Sequence, residues 1–215
     1  MGAGCGQPIS WWTVGANQST GALPNPVVYW AGDVRVTVSN TGATAQPSNF
    51  IANDGSGQFA APSSSGAYPG SLALKSGTSG VNEQNRTAQY VTFRFSQPVT
   101  NLTLTVFDID RDHAPRTNPS APGFMDQVFV ADGSPRPTST SLGSRLEGAG
   151  TAGSPWQAQA AYMANQPKDS HFDVTMTWAG PVSEVSIGYK QGVRQQNSFA
   201  TVWISPIRFT GPHCT

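Results

Sequence analysis

The chain has 215 residues, with 12 basic and 12 acidic side chains and an abundance of Gly (23) and Pro (17). Zero net charge without any Lys/Arg run argues against nucleic-acid capture. The lack of an apolar run of about 18 residues argues against a membrane-spanning helix. Such a composition implies one large domain over residues 1–215, built from short strands and turns.

In chain order, the opening MGAGCG reads as a start fused to a mature protein. It carries Cys5, and the only other cysteine, Cys214, stands at the far end. A Cys5–Cys214 disulfide would tie the termini together and implies an oxidising, extracellular compartment. Closing so long a loop contributes roughly 5 kcal/mol in the chain-entropy account. Two free thiols are the alternative, and a lipoprotein anchor at Cys5 is a third. Three lysines against nine arginines suggest a bacterial source, which would leave the sequons at Asn17, Asn85 and Asn101 bare.

Strands follow wherever apolar residues alternate. The clearest runs are Val34 to Val38, Val91 to Phe95, Leu102 to Val106, Phe172 to Trp178 and Val185 to Tyr189. Each has period two, so one face is buried and the other wet. Shorter candidates lie at 11–14, 27–30, 72–75, 127–131 and 202–209. Asn53-Asp54-Gly55, Ser96-Gln97-Pro98, Ala131-Asp132-Gly133 and Ala179-Gly180-Pro181 read as turns between them. About ten strands without βαβ alternation predict an all-β, two-sheet antiparallel sandwich of jelly-roll type. One short helix is expected over Pro155 to Asn165, and long loops over 55–70 and 132–154.

The densest chemistry lies in Phe107-Asp108-Ile109-Asp110-Arg111-Asp112-His113 and the strand beginning at Asp126. Four of the twelve carboxylates fall here. If the segment folds back as a hairpin, Asp126 meets Asp108 and Asp110, with Asp112 nearby. Clustered carboxylates repel unless something neutralises them. Ca²⁺ suits them because it takes six to eight oxygens in flexible geometry. An EF-hand is excluded, because His113 replaces the loop's sixth-position Gly and Pro119 its twelfth-position Glu. The alternative to a metal is a hydrogen-bonded loop, or pairing with Arg111 or Arg116.

The stretch VTFRFSQPVTNLTLTVFDIDRD…FMDQVFV resembles a module of bacterial secreted and surface proteins. In that module a strand ending in Asp-x-Asp precedes a loop and an Asp-x-Val-x-Val strand. The resemblance covers about residues 89–131. It implies a β-sandwich similar to carbohydrate-binding and adhesin domains, and brings no catalytic residue.

Aromatics are the second clue. Trp178 and Trp203 fall in strand patterns and are assigned to the core, while Trp156 and Tyr162 lose that patterning and are expected to be exposed as a sugar-binding platform. Catalysis has little support. His113, His171 and His213 form no zinc-ligand spacing, and Gly-x-Ser-x-Gly is absent. A polysaccharide hydrolase would have to pair Asp173 with Glu184. Lys75 and Lys190 are the candidates for an intramolecular isopeptide bond. The sequence therefore points to a secreted, non-catalytic module binding a glycan or surface polymer. Its alternative is a structural or adhesive subunit binding copies of itself.

Overall fold

The computed structural model describes residues 11, 23–42, 50–52, 68, 70–75, 88–111, 124–160, 169–192 and 200–213. Among these the fold is all-β, with antiparallel strand pairing throughout. Thirteen strands run β1 Val27–Ala31, β2 Val34–Gly42, β3 Phe50–Ala52, β4 Leu72–Lys75, β5 Gln89–Phe107, β6 Asp126–Val130, β7 Ser139–Leu142, β8 Leu146–Glu147, β9 Gln157–Ala158, β10 Val174–Trp178, β11 Val182–Gln191, β12 Thr201–Ile204 and β13 Arg208–Thr210.

The organising element is β5, whose 19 residues serve two sheets. Its first half pairs with β2 and β11, giving the order β1-β2-β5-β11-β6. Its second half pairs with β10 on one side and with β12 and β13 on the other. That second sheet continues outward through β7 beyond β10 and through β4 and β3 beyond β12. The expected turn at Ser96-Gln97-Pro98 instead lies within the continuous strand. The register opposite it slips between Val182 and Glu184, so the missing N–H of Pro98 costs no ladder bond. Asn101 takes φ +50°, a conformation that Asn tolerates better than most residues.

Alternation along both halves of β5 aims Val91, Phe93, Phe95, Leu102, Leu104 and Val106 into one core. Phe95 of the first sheet meets Phe209 of β13 with ring centroids 5.3 Å apart. Trp11 links the sheets, lying 5.8 Å from Phe93 while its Nε1 donates to the Ser205 carbonyl at 3.0 Å.

Three expectations need correction. The Pro155 to Asn165 helix does not start: Trp156 exchanges two backbone hydrogen bonds with Val128, and β9 follows. Residues 161–168, including Tyr162, lie outside the described residues. The supposed 132–154 loop contains β7 and β8. The acidic segment does fold back on itself, with an antiparallel Arg111–Met125 bridge and the Asp126 N–H on the Asp110 carbonyl, but its flanking strands part, because β6 pairs with β11 rather than β5. Cys5 and Cys214 also lie outside the described residues.

Gly150 carries part of the Trp156 arrangement. Its φ is +67°, and an added Cβ would stand 2.2 Å from the Trp156 indole. Gly150→Ala should therefore lower stability by about 2–4 kcal/mol, from left-handed strain plus overpacking. Urea unfolding measures this directly.

Candidate functional site

Two places gather polar chemistry. The first lies at the end of the sheets where β5 and β11 finish and β6 and β10 begin. Asp108 follows β5 with φ +67°, and its N–H donates to Asp173 Oδ1 at 3.3 Å. The next residue, Ile109, turns inward to the core and donates its N–H to the Phe172 carbonyl. That reversal leaves Asp110 at the sheet junction, where its carbonyl accepts from Asp126 N–H at 3.0 Å. Asp126 is fully buried. Its Oδ1 accepts from Tyr189 Oη and Gln191 Nε2, both at 2.7 Å. Gln191 also reaches Tyr189 Oη at 3.0 Å, and its Oε1 accepts from Met125 N–H at 3.0 Å. Asp126 Oδ2 is sealed from solvent without a hydrogen bond of good geometry among the described residues.

The structure thus brings Asp108, Asp110 and Asp126 together and adds Asp173, which sequence reasoning placed elsewhere. Asp112 lies outside the described residues. Burial pushes the Asp108 carboxyl up to about 8, and the Asp110 and Asp173 charges add to this against an opposing Trp203 indole N–H. Burial pushes Asp126 up to about 7, with the Asp108 charge adding and the Tyr189 and Gln191 donors opposing. Asp173 rises to about 6, again chiefly by burial. Asp108 and Asp126 are thereby pushed toward the protonated form near neutral pH, and Asp173 less so. Among the described residues no group of three or more His, Cys, Asp or Glu side chains is arranged to hold a metal ion.

The second place is a cleft of about 500 Å³ on the outer face of the first sheet, over β5, β11 and β6. Alternation turns Tyr90 and Thr92 of β5, Glu184 and Ser186 of β11 and Phe129 of β6 away from the core. Gly188 makes room for Phe129, since a Cβ there would lie 2.4 Å from the ring. Phe129 is only 2% exposed. Tyr90 stands edge to face with it at 6.1 Å, so Phe129 positions Tyr90 rather than meeting solvent. The 131–134 turn walls one side. Ser134 N–H donates to the Ala131 carbonyl, and Ser134 Oγ accepts from Ser186 N–H. Thr92 and Ser186 hydroxyls pair at 2.9 Å. Arg94 grips Glu184 through Oε2, with two contacts at 2.7 Å.

The remaining sequence candidates fare differently. Trp156 is 4% exposed and packs into the core, so it is no open platform. Trp30 on β1 is the exposed indole among those described, at 64%. Acrylamide quenching should therefore drop in Trp30→Phe and stay unchanged in Trp156→Phe. Asp173 directly precedes β10 of the second sheet while Glu184 lies on β11 of the first, and they form no catalytic pair. Lys190 Nζ donates to the Ala152 carbonyl and lies over the Phe129 ring, rather than meeting an Asn. The cleft was not foreseen, because its lining, from Tyr90 to Ser186, comes from segments far apart in the chain; the one local signal was outward Tyr90 opposite Gly188. No family model, curated protein or solved structure matches the chain.

Proposed function

We propose that this chain is a secreted or cell-surface, non-catalytic binding module whose contact surface is the outer face of the β1-β2-β5-β11-β6 sheet. The observation that carries the reading is that the core of the carboxyl cluster lies out of reach. Asp110 and Asp126 are buried at the sheet ends, with Asp108 half-buried beside them and Asp173 lining a separate concavity with His171, while the cleft on the outer face holds hydroxyls, Asp132 and an ion-paired Glu184. A hydrolase needs two free carboxyls facing one substrate, and Glu184 is tied to Arg94. The test is retention on a panel of insoluble polysaccharides, with new reducing ends assayed in parallel. Retention without bond cleavage is the expected result. Cleavage would transfer the chain to the hydrolases, and absence of retention would remove the reading.

Neutralisation of the buried cluster belongs to the same proposal. Ca²⁺ is the metal whose coordination suits these oxygens, and the convergence of the Asp108, Asp110 and Asp126 carboxyls favours it. Protons are the competing neutraliser.

Self-association is the second reading, favoured by β1. Among the described strands it pairs only with β2 and lies at a sheet edge, with Val28 and Trp30 exposed. Concentration-dependent sedimentation lost in Trp30→Lys would support it, and a monomer at all concentrations would remove it.

A further inference from the structure

We propose that the cleft over β5, β11 and β6 is a saccharide site, and that its ligand is a neutral sugar chain rather than an acidic or phosphorylated one. This rests on the binding-module reading and narrows it to one place and one ligand class.

Size is the first argument. About 500 Å³ lies within the range of small-molecule sites, roughly 300–1,000 Å³. It admits a short segment of a chain and not a folded partner.

Lining chemistry is the second. Thr92, Ser134 and Ser186 present hydroxyls, which can donate or accept as a ligand requires. Asp132 and Glu184 present carboxylates that accept from ligand hydroxyls in charge-assisted bonds. Half-buried Tyr90 offers apolar ring surface for the C–H side of a pyranose. A polyol needs all three kinds of contact at once.

Charge is the third. No Lys or Arg lines the cleft. Cations beside it are committed, Arg94 to Glu184, Lys190 to the Ala152 carbonyl and the Phe129 ring, and Arg136 to the Gly150 carbonyl. With Arg94 balancing Glu184, Asp132 leaves the cleft net negative, which disfavours uronic acids, sulfates and phosphates. A cationic ligand would satisfy the carboxylates and leave the hydroxyls and the single accessible ring unused.

Preorganisation is the fourth. Both contacts from Arg94 fall on Glu184 Oε2, which leaves Oε1 outside that ion pair. Ser186 is held through its N–H by Ser134 and through its hydroxyl by Thr92. The 131–134 turn is tied to β11 by Ala131 N–H donating to the Ser186 carbonyl at 2.9 Å. Binding therefore orders few side chains that are not already ordered.

The experiment is a ¹H–¹⁵N titration of the full chain with hexasaccharides. Neutral probes are β-1,4-glucose, β-1,3-glucose, β-1,4-xylose and β-1,4-mannose hexamers; hexagalacturonate and a chitosan hexamer supply acidic and cationic counterparts. At least one neutral hexamer should shift the amides of Tyr90, Thr92, Ser134 and Ser186, with smaller or no shifts from the charged ones. Glu184→Gln, an exposed change, should weaken binding about tenfold by loss of a charge-assisted bond. Ala152→Trp should fill the cleft and abolish binding, with spectral dispersion reporting the fold of both variants. If a neutral hexamer binds but moves other amides, and Glu184→Gln leaves its affinity unchanged, the cleft assignment is overturned while the module reading stands. Preferential binding of hexagalacturonate or chitosan at the cleft overturns the ligand class. Failure of every saccharide here and of every polysaccharide in the retention assay overturns both.

Discussion

Asp126→Ala should lower unfolding free energy by about 3 kcal/mol, because it strips the acceptor from two buried donors. Those donors are Tyr189 Oη and Gln191 Nε2. Neither can turn to water, since Tyr189 and Gln191 are themselves buried. Asp126→Asn separates this loss from the charge effect. Its amide oxygen still accepts from both donors, and its new NH₂ can donate toward the Asp108 and Asp110 carboxyls. Asn also removes one of the mutually repelling charges. The Asn variant should therefore match or exceed the parent at pH 8, while the Ala variant falls well below it. Urea denaturation of all three proteins at pH 8 measures the contrast. Equal losses in both variants would mean that the carboxylate charge itself is required, as it would be by a bound cation.

Stability should fall as pH rises from about 4 to about 8. Asp108 and Asp126 are raised in the folded chain to about 8 and about 7. Over that interval the native state holds more protons than the unfolded state, so the slope of unfolding free energy with pH is negative. The stabilisation is complete below the ordinary carboxyl range and lost as pH passes the folded values. On the order of a few kcal/mol is at stake, or roughly 5–10 °C in melting temperature for a chain of this size. Thermal melts in chelator from pH 4.5 to 8.5 should show the decline, and Asp126→Asn should flatten it. Repeating the series in millimolar Ca²⁺ identifies the neutraliser. A melting temperature restored at pH 8 assigns the cluster to the cation, and superimposable curves assign it to protons.

Much of the fold was legible because half-buried strands write their period into the sequence. Val34 to Val38 and Val185 to Tyr189 form strands as their alternation requires, and β4 spans Leu72–Lys75 as expected. The failures have physical causes. β7 is exposed along its whole length, so Ser139–Leu142 carries no alternation to detect. Pro98 suggested a break, but the register slip on the facing β11 lets a Pro remain inside a continuous strand. Trp156 looked helical and exposed because the glycine that buries it, Gly150, acts through space as well as along the chain.

The candidate sites divide in the same way. Asp108, Asp110 and Asp126 were legible as a local cluster, whereas Asp173 joins it from 65 residues away through the Asp108 N–H. Nothing in the sequence around Asp173 marked that meeting. The outer cleft depends wholly on sheet order, since β11 must lie between β5 and β6 before Tyr90, Ser186 and Phe129 become neighbours.

The shared strand has a consequence for cooperativity. A sandwich whose sheets are joined only by loops can open like two leaves, each melting on its own. Here one unbroken strand contributes a central member to both sheets, between β2 and β11 in one and between β10 and β12 in the other. Losing β5 from either sheet removes ladder bonds on both its sides and reaches the other sheet through the same continuous backbone. The described β framework is thereby wired as a single cooperative unit, in which a half-open form has no stable interior to retain.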